Sequence, residues 1–67
     1  MRLKMSQLEQ FDLDEEWLYG RLAGRKVNPS MHQVDAFCDR VWELMSTKGL
    51  PVQEARSTAI QEIFGKR

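Results

Sequence analysis

With 67 residues the chain has room for one hydrophobic core, since what remained after enclosing a first could not enclose a second. Ten Lys plus Arg balance ten Asp plus Glu, five of each sign in either half, so no basic block points to nucleic acid. A single cysteine, Cys38, excludes an intramolecular disulfide and suits a reducing compartment, and with one histidine, His32, the supply of zinc ligands is thin.

A cytoplasmic location is the expectation that follows. The basic start Met1-Arg2-Leu3-Lys4-Met5 runs at once into polar Ser6, Gln7, Glu9 and Gln10, which leaves no hydrophobic run for a secretory signal. Apolar stretches reach only triplets such as Trp17-Leu18-Tyr19, far short of the roughly 20 residues that cross a bilayer, so no membrane partner is expected. Chains this short bury only roughly 60% of their unfolded surface, and natural proteins of this size add disulfides, a metal or another chain. Another chain is the device left open.

The pattern predicts an all-α, three-helix bundle in a single domain, with helices over 12–24, 29–48 and 51–64. Two capping boxes compete to open the first helix, Ser6 with Glu9 and Asp12 with Glu15. Asp12 is preferred, because Asp14, Glu15 and Glu16 then occupy the first turn and Arg21, Arg25 and Lys26 the far end, as the helix dipole favours. Residues 1–11 are then frayed or form a short extra helical turn. If helicity reaches upstream, Leu18 and Leu22 continue the line of Leu8 and Phe11, whereas Leu13 and Trp17 share another face with Gly20 and Gly24. One face serves the core. The other either is left for a second chain or is covered because the first helix is sandwiched between the other two.

Asn28 as N-cap and Pro29 at the first helical position open the second helix. Met31, Val34, Phe37, Cys38, Val41, Leu44 and Met45 recur at three- and four-residue steps along one stripe. Lys48 closes it, with Gly49 in the left-handed conformation and Leu50 folding back. Met31, Cys38, Trp42 and Met45 widen the apolar arc past the roughly 100° that one neighbour needs. His32, Asp35, Asp39 and Glu43 lie opposite, within about 80° of one another. That strip reads as a solvated face, and as a functional surface it would be an acidic contact for a basic partner (Asp35, Asp39, Glu43).

Pro51 opens the third helix, whose apolar residues are Val52, Ala55, Ala59, Ile60, Ile63 and Phe64; Gly65 follows, then Lys66-Arg67. The connection through Gly49-Leu50 makes helices two and three a hairpin or corner. Arg56 falls inside the apolar stripe and needs either to snorkel or to pair with an acid.

No catalytic, cofactor or metal site is expected. His32 and Cys38 are six residues apart, which on a helix turns them about 240° from each other, and no nucleophile, metal or phosphate-loop motif occurs. Arg21, Arg25 and Lys26, with Lys66 and Arg67, are candidates to grip phosphates, but helix C-termini attract cations without any ligand. A helix-turn-helix around Gly49 fits poorly, since Met45 and Lys48 stand where that motif carries a small and an apolar residue, and Glu54 and Glu62 are acidic. The stretch from Glu43-Leu44-Met45 to the Gly49 turn, followed by Glu54-Ala55, resembles many short bacterial helical hairpins. The motif is generic, covers less than half the chain and carries no functional residue across; it implies a bacterial or phage origin.

Surplus apolar surface therefore points to a non-enzymatic protein-interaction module, a small regulator, adaptor or inhibitor docking on another protein chain, a second copy in a homodimer included. The expected contact residues are Leu13, Trp17, Gly20, Gly24, Met31, Trp42 and Met45, with Trp17 and Trp42 as anchors. The alternative is a small DNA-binding transcriptional regulator that uses the basic helix ends.

Overall fold

Ser6, rather than Asp12, opens the first helix. In the computed structural model, which describes residues 6–65, the chain forms three helices and no strand among those residues: α1 Gln7–Ala23, α2 Met31–Thr47 and α3 Val52–Phe64. The result is a small all-α three-helix bundle. At the start of α1 the Ser6 hydroxyl accepts from the Glu9 N–H at 3.2 Å, and the Glu9 carboxylate accepts from the Ser6 N–H at 3.3 Å. The earlier start prevails because it places Gln10, Asp14, Leu18 and Leu22, each four residues from the last, on one buried line. It also lets the Phe11 ring meet the edge of Trp42 across α2, at 6.5 Å between centroids. Asp14 consequently lies in mid-helix inside the core, not in the first turn. The frayed segment expected over 1–11 is replaced from Gln7 onward by regular helix, and residues 1–5 fall outside the described range.

The second helix also starts on a serine. Ser30 and Gln33 form a reciprocal capping box at 3.2 and 3.0 Å, so Asn28 and Pro29 belong to the connection and not to the helix. Two satisfied backbone N–H groups outweigh the weaker signal of an Asn-Pro pair. The far end agrees with expectation: Lys48 is the C-cap, Gly49 adopts φ +66°, and the Leu50 N–H turns back to the Leu44 carbonyl at 3.4 Å. Pro51 serves as N-cap of α3, one residue outside the helix it was expected to begin.

Leu18, Leu22, Val34, Phe37, Cys38, Val41, Leu44, Ala55, Ala59 and Ile60 form the core. Each large side chain in it contributes about 1.5–3 kcal/mol by leaving water. α2 is the middle helix: α1 and α3 both pack on it, with α3 the more extensive partner, and approach each other only narrowly. The sandwiched helix is thus the second, not the first, because α2 alone carries an apolar arc wide enough for two neighbours. Phe11 meets Trp42 while Trp17 meets Phe37, so α1 and α2 are antiparallel. Two antiparallel steps leave α1 and α3 running the same way, with their C-terminal ends together. No helix among the described residues is long and apolar enough to cross a membrane.

Candidate functional site

The narrow approach of α1 to α3 is made by charge. Arg56 on α3 donates from Nε to Oδ1 of Asp14 on α1 at 2.8 Å, with the Asp14 side chain wholly buried and that of Arg56 14% exposed. The same oxygen accepts from the Gln10 amide at 2.9 Å, while Asp14 Oδ2 has no hydrogen-bond partner. Burial raises the Asp14 pKa above its ordinary value, outweighing the opposing pull of the Arg56 and Gln10 hydrogen bonds and the Arg56 charge. Arg56 therefore finds its acid, as its place in an apolar stripe required.

Trp17 sits against this pair. Its indole stacks on Phe37 at 5.9 Å with the planes 4° apart, and the guanidinium carbons of Arg56 and Arg21 lie 5.7 and 5.3 Å from the ring centroid. Beyond Arg21, toward the joined ends of α1 and α3, lies a cleft of about 140 Å³ lined by Arg21, Arg25, Ser57, Ile60, Gln61 and Gly65. Lys66 and Arg67, the other expected cations, lie outside the described residues.

The seven expected contact residues differ in exposure. Trp17 and Trp42 are half-buried and engaged within the chain, by Phe37 and Phe11 respectively, and Met45 packs against the core. Leu13 and Met31 are exposed. Gly20 and Gly24 face open space, with no heavy atom within 4 Å of where a Cβ would stand. Leu8, which the sequence aligned with Phe11 and the core, points outward, as do Tyr19 and Val27.

Asp35, Asp39 and Glu43 are all exposed on α2, as is His32. Glu43 is tied to Arg40 at 3.1 Å, and Arg40 also makes a two-pronged contact with Glu62 at 2.8 and 3.1 Å. That contact holds the Glu62 carboxylate below its usual range and raises Arg40. No group of three or more His, Cys, Asp or Glu among the described residues is placed to hold a metal ion. The Cys38 thiol points to the Phe11 carbonyl at 3.7 Å, and burial, reinforced by Asp14, Glu15, Asp35 and Asp39, pushes its pKa up to about 12. It is held as a thiol, a poor nucleophile.

Sequence reasoning missed Gln10 and Asp14 as buried polar groups. Their signal was present in the four-residue spacing that joins them to Leu18 and Leu22, and it was masked by starting the helix at Asp12. Compared with known protein families, curated proteins and solved structures, the chain matches none.

Proposed function

We propose that the chain is a non-enzymatic protein-interaction module that docks apolar surface of α1 and the start of α2 against another chain, with a second copy of itself as the favoured partner. One observation carries this reading. Among the described residues, the large apolar side chains most open to water, Leu8 (76%), Leu13 (45%), Tyr19 (48%), Val27 (40%) and Met31 (71%), all fall between residues 8 and 31, and none belongs to α3 or the rest of α2. Surplus of this kind, confined to one stretch of a chain too small to cover it, is what association removes from water.

A second copy is favoured by charge. The chain is formally neutral, so two copies do not repel, and each offers an acidic strip (Asp35, Asp39, Glu43) and basic side chains (Arg21, Arg25) to the other. The half-buried Trp17 and Trp42 are poor probes of this contact, because truncating them removes internal packing as well.

Leu13→Gln with Met31→Gln is the cleaner perturbation, both side chains being exposed. Mass measured by light scattering across a concentration series is expected to rise toward twice the monomer in the parent and to stay monomeric in the double variant. A parent that remains monomeric throughout, or a variant that associates equally well, would sink the reading. The runner-up, a DNA-binding regulator, draws on the convergence of Arg21 and Arg25 with the end of α3. It would be favoured by a salt-dependent shift of labelled duplex in a parent that does not self-associate.

A further inference from the structure

We infer that the cleft between the C-terminal ends of α1 and α3 is a binding site for a single phosphate group. The two walls bring together residues more than thirty positions apart in sequence: Arg21 of α1 and Arg25 from the turn after it, and Ser57, Ile60 and Gln61 of α3 with its C-cap Gly65. Two arginines, a serine and a glutamine line it, and no carboxylate-bearing residue does among the described residues.

Neither arginine is paired with a carboxylate among the described residues; only the partial negative charge of the helix end faces them. Arg21 stands in the last turn of α1 and Arg25 one residue past its C-cap Gly24, so two like charges lie close together at one end of the bundle. The acids that pair with arginines elsewhere are occupied: Asp14 by Arg56, and Glu43 and Glu62 by Arg40. Arg21 is held by the face of Trp17 at 5.3 Å, which limits the positions its guanidinium takes up.

Size and donor number choose the ligand. About 140 Å³ is well below the roughly 300–1,000 Å³ of sites that enclose a whole organic ligand, so the cleft admits one group rather than a nucleotide. Two planar guanidinium forks and a hydroxyl offer more donors than the two oxygens of a carboxylate accept, whereas a phosphate presents a third oxygen and more charge. The inference shares Arg21 and Arg25 with the charge complementarity of the second-copy contact but none of its apolar side chains, and Leu13→Gln with Met31→Gln, which leaves the cleft intact, keeps the two tests distinct.

The probe is inorganic phosphate, added at constant ionic strength near neutral pH while the Nε–H signals of the arginines are followed by nitrogen-edited NMR. Saturable shifts are expected at Arg21 and Arg25, with Arg40, already paired with Glu43 and Glu62, unmoved. Arg25→Gln is exposed and should keep its helical circular dichroism while weakening phosphate binding at least about tenfold, the loss of one charge-assisted contact. Lys48→Gln, an equal change of charge at the opposite end of α2, should leave the affinity unchanged. Shifts that grow linearly without saturating, equal shifts with acetate, or unaltered binding in Arg25→Gln would each overturn the site. Tight, steeply salt-dependent binding of a short DNA duplex without saturable phosphate binding would reassign the cations to a nucleic-acid backbone and overturn it as well.

Discussion

Replacing Arg56 with methionine isolates the charge at the centre of the molecule. Methionine fills much the same volume and keeps the contact with the Trp17 face, but leaves Asp14 as a wholly buried carboxylate with only the Gln10 amide for company. Removing one partner of a buried ion pair costs about 3–5 kcal/mol, and loss of the cation over Trp17 adds about 0.5–2 kcal/mol. At roughly 0.05–0.15 kcal/mol per residue, a chain of 67 residues has about 3–10 kcal/mol of stability to lose. The variant is therefore expected to be largely unfolded at 37 °C or, if folded, to melt at least about 12 °C lower, taking about 4 °C per kcal/mol for a domain of this size. The loss should depend on pH. The folded-state pKa of Asp14 is raised, so the folded chain holds a proton that the unfolded chain has released, and Asp14 lowers stability as pH rises from 3.8 through the raised value. Without Arg56 the raised value climbs further, so the deficit against the parent is largest at about pH 7 and shrinks toward about pH 4. Urea unfolding followed by far-ultraviolet circular dichroism at several pH values measures it. A companion, Asp14→Leu with Arg56→Met, removes both charges and should recover parental stability or exceed it by about 1–4 kcal/mol. A loss below about 1 kcal/mol for Arg56→Met, or one that does not change with pH, would refute the picture of a desolvated pair.

Three further expectations follow from single residues. Gly20→Ala should raise the melting temperature of the dilute chain, by up to about 1 kcal/mol in stability, because the glycine is helical, in the last turn of α1, with open space around it; a lower melting temperature would mean that something does approach there. Glu62→Gln should weaken the chain more above pH 4.5 than below, since the lowered pKa of Glu62 supplies stability that is present above its unfolded value and lost as pH falls through the folded one. The effect should fade in high salt, and a pH-independent difference would contradict the Arg40 pairing. Cys38 should resist iodoacetamide at mildly alkaline pH until urea is added, read as the mass of the intact chain; rapid labelling of folded protein would contradict its burial.

Much of this fold was written locally. The stripe from Val34 to Leu44 and the Gly49 turn specify α2 and the hairpin to α3, because periodicity and a left-handed glycine act over neighbouring residues. Helix starts were harder, since Ser6 and Asp12, or Asn28 and Ser30, are chemically similar caps and the choice depends on which start aligns distant side chains. Phe11 is drawn into the helix by Trp42 on α2, and Gln10 by an Asp14 carboxylate that Arg56 of α3 also engages, a tertiary reward that no window around Ser6 contains. The same holds for the candidate sites. Arg56 announced its need for an acid, yet Asp14 is identified only once α1 and α3 are laid in parallel. Arg21 and Arg25 read as dipole-compensating cations until Ser57 and Gln61 appear across from them.

Because α2 is central and its contact with α3 the broader one, α1 is the part of the molecule most easily released. The α2–α3 hairpin keeps its short connection and its Arg40–Glu62 tie when α1 departs, while Phe37 and Cys38 are laid bare. Opening should thus proceed in two stages, with amides in α1 exchanging with deuterated water ahead of those in the middle of α2; uniform exchange rates in all three helices would contradict this hierarchy. Such a peeled state would uncover a sticky trough shaped for a helix, which an α1 donated by a neighbouring molecule would fill as well as the chain's own. The seven-residue connector from Gly24 to Ser30 would then act as the hinge of an exchanged dimer.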